Sequence, residues 1–138
     1  MTTHLRVFID TAAWIALISK RDALYLPARQ VMNDLRGQQA QLVTTEFVLV
    51  EVANALSAAN SRLQAANFIN GLRALPTVQI IFASSELFND GLVLYHGRPD
   101  KEWSLTDCTS FVVMDKESIA QAFTSDHHFV QAGFTKLL

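Results

Sequence analysis

The sequence predicts an α/β sandwich: a central, mostly parallel sheet of four or five strands flanked by helices. Two observations carry that expectation. Short β-branched or apolar runs alternate along the chain with longer segments whose apolar residues recur near every 3.6 positions. The chain has 138 residues, enough for one buried core and too few for two, and it contains no internal repeat, low-complexity tract or linker. Residues 1–138 therefore read as a single domain, with helices packed on a strand-alternating sheet.

The elements follow in order. Leu5 to Ile9 is an apolar run closed by Asp10, and a helix-like Ala12–Ile18 segment follows it. From Arg21 to Gln39, apolar residues at Leu24, Ala28, Val31, Met32 and Leu35 keep helical spacing, and Gly37 is a plausible stop. Gln41 to Val43 is a brief strand. Thr44 and Thr45 then offer an N-cap for a helix from about Glu46 to Ala59. Another helix runs from about Arg62 to Leu75, ahead of Pro76. Val78 to Phe82 is strand-like, and Ser84 or Ser85 caps a helix reaching about Tyr95. His96 to Ser104 has loop composition. A helix over about Leu105–Lys116, a strand over Ile119–Thr124, a short helix after Asp126 and a strand at Phe134–Leu137 complete the pattern.

Composition narrows the function classes. Half the residues are apolar and 17% are charged, an ordinary globular balance. No unbroken apolar stretch is long enough to span a membrane, and the opening Met1–Asp10 segment lacks a signal-peptide pattern. A lone cysteine, Cys108, forms no internal disulfide, which fits the reducing cytoplasm. The net charge of −2 argues only weakly against a nucleic-acid partner. If four of the 13 acids sit around metal, nine remain against 11 Lys and Arg, which leaves the rest of the chain at +2.

Four acids stand out. Asp10 closes the first strand, at the sheet edge where open α/β folds bind ligands, although it could simply cap the next helix, with Thr11 as an alternative cap. Asp126 has the same strand-end placement and the same alternative. Glu51 lies within Glu46-Phe-Val-Leu-Val-Glu51-Val-Ala-Asn-Ala-Leu56, and a carboxylate in so apolar a helix is costly to bury unless paired or metal-bound. Asp107, three residues after Ser104, fits a capping box and also projects from a helix start toward the same edge.

Other features carry less. His127 and His128 are adjacent and should point in different directions on a helix, with no Cys or His at ligand spacing, so they do not predict zinc. Cys108 has no base nearby in sequence and reads as core. The five glycines form no phosphate loop.

The ordered set Asp10, Glu51, Asp107 and Asp126 resembles the PIN-domain family, of the kind found as VapC toxins in toxin–antitoxin pairs. The resemblance rests on Phe8-Ile-Asp10-Thr-Ala, Thr44 to Leu56, Asp100 to Phe111 and Phe123 to Phe134, and so covers nearly the whole chain. It implies a PIN-like three-layer sandwich and a metal-dependent endoribonuclease. Asp10, Glu51 and Asp107 would be acidic metal ligands and Asp126 the more variable fourth. It also implies an antitoxin partner and a homodimer. Ala12 and Phe111 depart from the family, which often has Ser or Asn at the first position and a small residue at the second.

Crowded carboxylates should repel, which raises some of their pKa values. Oxygen ligands suit Mg²⁺, or Mn²⁺, and such ions activate water and stabilise charge on a phosphodiester. Thr11, Thr106 and Ser110 are candidate supporting hydroxyls, with helix capping an equal explanation for Thr106. Arg98 and Lys101 offer cations to RNA phosphates, and Trp103 offers either a ring for an unpaired base or a packing anchor for its loop. Two alternatives are a haloacid dehalogenase-like phosphohydrolase, for which Ala12 stands where a second acid is expected, and a non-catalytic domain binding through its acidic pocket.

Overall fold

The computed structural model describes residues 4–138. Met1 to Thr3, part of the opening segment read for targeting signals, lie outside the described residues. The strands are β1 (Arg6–Ile9), β2 (Gln41–Thr45), β3 (Val78–Ile81), β4 (Gln121–Phe123) and β5 (Thr135–Lys136). The helices are α1 (Thr11–Ile18), α2 (Tyr25–Gly37), α3 (Glu46–Ala55), α4 (Arg62–Ala74), α5 (Ser85–Gly97), α6 (Leu105–Lys116) and α7 (His128–Gln131).

One five-stranded sheet has the order β3-β2-β1-β4-β5, and every pairing is parallel. Parallel neighbours need crossovers, and right-handed crossovers place α1–α4 on one face and α5–α7 on the other. Helix contacts agree: α1 packs on α2, α3 and α4, while α6 packs on α5 and α7. Both faces of the central strands are therefore covered. Val7, Phe8, Ile9, Val43, Ala122 and Phe123 are fully buried, as a strand sandwiched between helices demands.

The order reverses between β1 and β4, so the chain leaves these neighbours in opposite directions. That reversal opens a crevice beyond their carboxyl ends. The ladder continues past β1, where the Asp10 N–H donates to the Phe123 carbonyl at 3.1 Å. Thr44 braces the same edge from β2. Its hydroxyl donates to the Ile9 carbonyl at 2.9 Å and accepts the Trp14 indole N–H at 3.2 Å.

Some boundaries differ from the sequence expectation. The helix expected from Arg21 begins at Tyr25, because Asp22 folds a turn first. Its carboxylate accepts Leu24 N–H at 2.8 Å, and its carbonyl accepts Tyr25 N–H at 3.0 Å. The helix expected to reach Ala59 ends at Ala55, and the Ser61 hydroxyl takes up the Leu56 carbonyl at 3.0 Å. Thr45, not Thr44, caps α3, accepting Val48 N–H at 3.1 Å. Helix α2 does end at Gly37, the stop that the sequence suggests, and the left-handed residue after it is Gln39, φ 54°. Helices α5 and α6 pack closely where Gly91 faces Thr109. A Cβ at Gly91 would lie 2.5 Å from Thr109 Cγ2.

Candidate metal centre

Asp10 occupies the N-cap position of α1, yet its carboxylate makes no capping bond. It accepts instead from the Thr124 hydroxyl, at 2.9 Å to Oδ2. The side chain is buried, and burial pushes its pKa from 3.8 up to about 7. Hydrogen bonds from Thr11 N–H and Thr124 oppose that rise, while the charges of Asp107 and Glu51 add to it. Repulsion among the acids is present, as the sequence suggested, but desolvation is the larger cause.

Asp107 holds the capping role that the sequence suggests. Ser104 Oγ accepts Asp107 N–H at 2.9 Å, and Asp107 Oδ2 accepts Ser104 N–H at 3.1 Å, which completes the capping box of α6. The same Oδ2 lies 3.2 Å from His128 Nδ1. Burial raises the Asp107 pKa, helped by the charge of Asp126 and opposed by Ser104 and His128.

Asp126 follows β4 in a tight turn. Its N–H donates to Thr124 Oγ1 at 3.0 Å, and its Oδ1 accepts His128 N–H at 2.9 Å, so the carboxylate does anchor the start of α7. Oδ1 also lies 3.3 Å from His128 Nδ1. The bonds to Asp107 thus fall on Oδ2 and those to Asp126 on Oδ1. Glu51 is half-buried on α3, which packs against α6. Its charge reaches Asp10, so Glu51 joins the group from the opposite layer.

Charge links Asp10 to Asp107 and Glu51, and Asp107 to Asp126, and carboxylate oxygens are the donors that a hard divalent cation takes. Among the described residues, two buried hydroxyls beside these acids in sequence, Thr11 Oγ1 and Ser110 Oγ, have no protein partner. The waters of a hydrated cation would satisfy such groups. Thr106 is not a cap, since Ser104 fills that role, and its carbonyl accepts the Thr109 hydroxyl at 2.7 Å.

Sequence reasoning missed Thr124 and His128. Thr124 carried one usable signal, because a threonine two residues before an acid favours a side-chain turn to its backbone. His128 was set aside with His127 on the assumption that both lie on a helix. In the structure His127 precedes α7, and the two rings stand 4.5 Å apart between centroids.

A protein-family model described as PIN domain matches residues 7–135. The chain belongs to the PIN-domain family. It is 27% identical over 131 residues to the 23S rRNA-specific endonuclease VapC20 of Mycobacterium tuberculosis, in strains CDC 1551 / Oshkosh and ATCC 25618 / H37Rv. The match covers 95% of this chain and 97% of that protein. The crystal structure of Mycobacterium tuberculosis VapC20, described as a sarcin-ricin loop cleaving toxin, superposes with a TM-score of 0.81 at 26% identity. It covers 94% of this chain and 96% of that one. The haloacid dehalogenase alternative falls with these matches.

The PIN family departures have simple packing consequences. Ala12 is half-buried in the first turn of α1. Phe111 sits in an aromatic cluster, 5.0 Å from Trp103, 4.9 Å from Phe129 and 5.7 Å from Phe134. That cluster favours the packing role among the two that the sequence leaves open for Trp103. Its ring is 6% exposed, its indole N–H donates to Gln131 Oε1 at 3.0 Å, and it offers no free face to a base. Arg98 and Lys101 lie over the ring, at 5.0 and 6.0 Å from its centroid. Arg98 is exposed and bonded to Asp100, with Nε 3.0 Å from Oδ1. Burial pushes the Cys108 thiol up to about 11, which rules it out as a ready nucleophile in this PIN domain.

Proposed function

We propose that this protein is a divalent-metal-dependent endoribonuclease and the toxin of a toxin–antitoxin pair, acting in the cytoplasm as a single PIN domain. The observation that carries the reading is Asp10: buried, free of any capping bond, held by Thr124 and flanked by the charges of Glu51 and Asp107. No need of the fold explains burying that carboxylate at such cost.

Asp10, Glu51 and Asp107 are the proposed ligands for Mg²⁺, with Mn²⁺ able to replace it, and Asp126 completes the acidic rim. A bound divalent ion would supply a polarised water and charge neutralisation at the phosphodiester. The protein's own part is positional. Thr124 keeps the Asp10 carboxylate oriented, and the capping box fixes Asp107 on α6. Arg98 and Lys101 are the proposed phosphate contacts, and Thr11 and Ser110 the hydroxyls facing bound water.

RNA is the proposed substrate, and the relative's 23S rRNA is the first to test. Incubation with that rRNA and with a synthetic stem-loop, under Mg²⁺, Mn²⁺ or EDTA and beside Asp10→Asn, decides the matter. Metal-dependent cleavage lost in the variant is expected. Cleavage persisting in EDTA or in Asp10→Asn overturns the reading.

Two surfaces support the proposed protein partners. A groove of about 790 Å³ beside α2 and α4 has an apolar floor that includes Trp14, Met32 and Phe68, with Arg29 and Arg36 along it. It suits an apolar antitoxin segment carrying acids. Phe82, Phe88, Val93 and Val50 are exposed around α3, the end of β3 and α5, and they support a homodimer, which light scattering after size exclusion would test. Among the described residues, no helix is long and apolar enough to cross a membrane.

A further inference from the structure

The acidic rim also carries two imidazoles that the proposed Mg²⁺ chemistry leaves without a task. We propose that Asp126, His127 and His128, together with Asp107, form a mixed nitrogen–oxygen site for a borderline transition ion of the Zn²⁺ class. The site would lie at the edge of the all-oxygen centre. This inference rests on the proposed centre through the shared Asp107 and Asp126.

The spacing of the donors is the first support. His128 Nδ1 lies 3.2 Å from Asp107 Oδ2 and 3.3 Å from Asp126 Oδ1, and His127 Nδ1 lies 3.8 Å from Asp126 Oδ1. The ligand atoms of Asp126, His127 and His128 all fall within 4.8 Å of one another. Metal–ligand bonds of ~2.0–2.1 Å in a tetrahedron separate neighbouring donors by ~3.3–3.4 Å. His128 Nδ1 therefore already stands one polyhedron edge from Asp126 Oδ1 and one from Asp107 Oδ2. His127 is largely exposed and needs only a side-chain rotation to join them.

Charge is the second support. Two carboxylates converge on one imidazole nitrogen. A single shared N–H proton neutralises them incompletely. A dication replacing it would be coordinated by both carboxylates and by the nitrogen lone pair, with the Nδ1 proton released to solvent.

Donor chemistry and rigidity complete the case. Imidazole nitrogen favours Zn²⁺ and its neighbours, whereas carboxylate oxygens alone favour Mg²⁺. The Asp126 turn is fixed at both ends, by Thr124 Oγ1 on its N–H and by His128 N–H on its Oδ1. His128 is mostly buried, and the next residue, Phe129, is fully buried. The donors are thus held in place before any ion arrives. Because the site draws on Asp107, occupancy by Zn²⁺ should inhibit Mg²⁺-supported cleavage.

The test uses ZnCl₂ and MgCl₂ as separate titrants in calorimetry, and zinc-edge X-ray absorption on the Zn²⁺-loaded wild-type protein. Imidazole scattering is expected in the absorption spectrum. His128→Asn keeps an N–H donor near the Nδ1 position but removes the ring nitrogen. It should lower Zn²⁺ affinity at least ~10-fold while sparing Mg²⁺ affinity. The absence of imidazole scattering, unchanged Zn²⁺ affinity, or an equal fall for both ions overturns the proposal. The wild-type spectrum decides even if the variant does not fold. Mg²⁺-dependent cleavage without imidazole scattering would overturn this site and leave the ribonuclease reading standing. Imidazole scattering without metal-dependent cleavage would do the reverse.

Discussion

The Thr124 hydroxyl donates to Asp10 Oδ2 at 2.9 Å while accepting the Asp126 N–H at 3.0 Å. One buried oxygen thus aligns an acid after β1 with an acid after β4. Replacing it by Val keeps the shape and removes both bonds. Thr124→Val should reduce Mg²⁺ affinity by about 10-fold or more, as loss of a partner that orients a ligand does. Stability should fall by only ~1–3 kcal/mol, since one amide is left unpaired. Calorimetry and urea unfolding separate the two effects.

Asp10 makes the metal-free protein sensitive to pH. Its folded pKa, about 7, lies above the ordinary 3.8, so the folded state holds the proton more tightly than the unfolded chain does. That contribution is fully present below pH ~4 and is lost as pH rises through ~7, at a cost of up to roughly 4 kcal/mol. Asp10→Asn should therefore raise the metal-free Tm at pH 8 and leave it little changed at pH 4. A variant no more stable than wild type at pH 8 contradicts the assignment. Mg²⁺ binding by wild type should weaken as pH falls below 7.

Gly91 gives a test of packing away from the centre. Gly91→Ala sets a methyl against Thr109 Cγ2 at 2.5 Å and against Thr109 N at 3.2 Å. Destabilisation of ~1–3 kcal/mol is expected. Adding Thr109→Ser removes the nearer clash and should restore part of the loss, read as a shift in the urea midpoint.

Trp103 and its neighbouring cations should separate fold from RNA contact. Trp103→Ala empties part of the aromatic cluster around Phe111 and should cost ~3–5 kcal/mol. Any loss of RNA binding should follow the loss of fold. Arg98→Ala with Lys101→Ala should instead leave Tm nearly unchanged, weaken RNA binding and flatten its salt dependence. An unchanged salt slope would remove both from the contact surface.

Much of this was legible in the sequence because its signals are local. The alternation of β-branched runs with 3.6-residue periods gave the strands and helices, and Ser104 with Asp107 spelled out a capping box that the structure contains. The shape of the acidic site was less legible because its supports are distant in the chain. No local pattern links Thr124 to Asp10, or Thr44 to Ile9. Trp103 was ambiguous for the same reason, since its hydrogen-bond partner, Gln131, lies beyond α6 and β4. The contact of His128 was not legible, because its partner Asp107 lies 21 residues earlier on α6.

The pairing of β4 beside β1 has a consequence for how the chain is made. Asp10 and Thr124 are separated by 114 residues, and β1 gains its second neighbour only when Gln121–Phe123 arrives. A nascent chain emerging from the ribosome holds Asp10 and Glu51 early but lacks β4, Thr124 and the Asp126 turn. The proposed centre is therefore assembled last, after most of the domain has left the exit tunnel. A stalled or truncated product ending before residue 121 would carry three of the four acids and still lack the strand that aligns them.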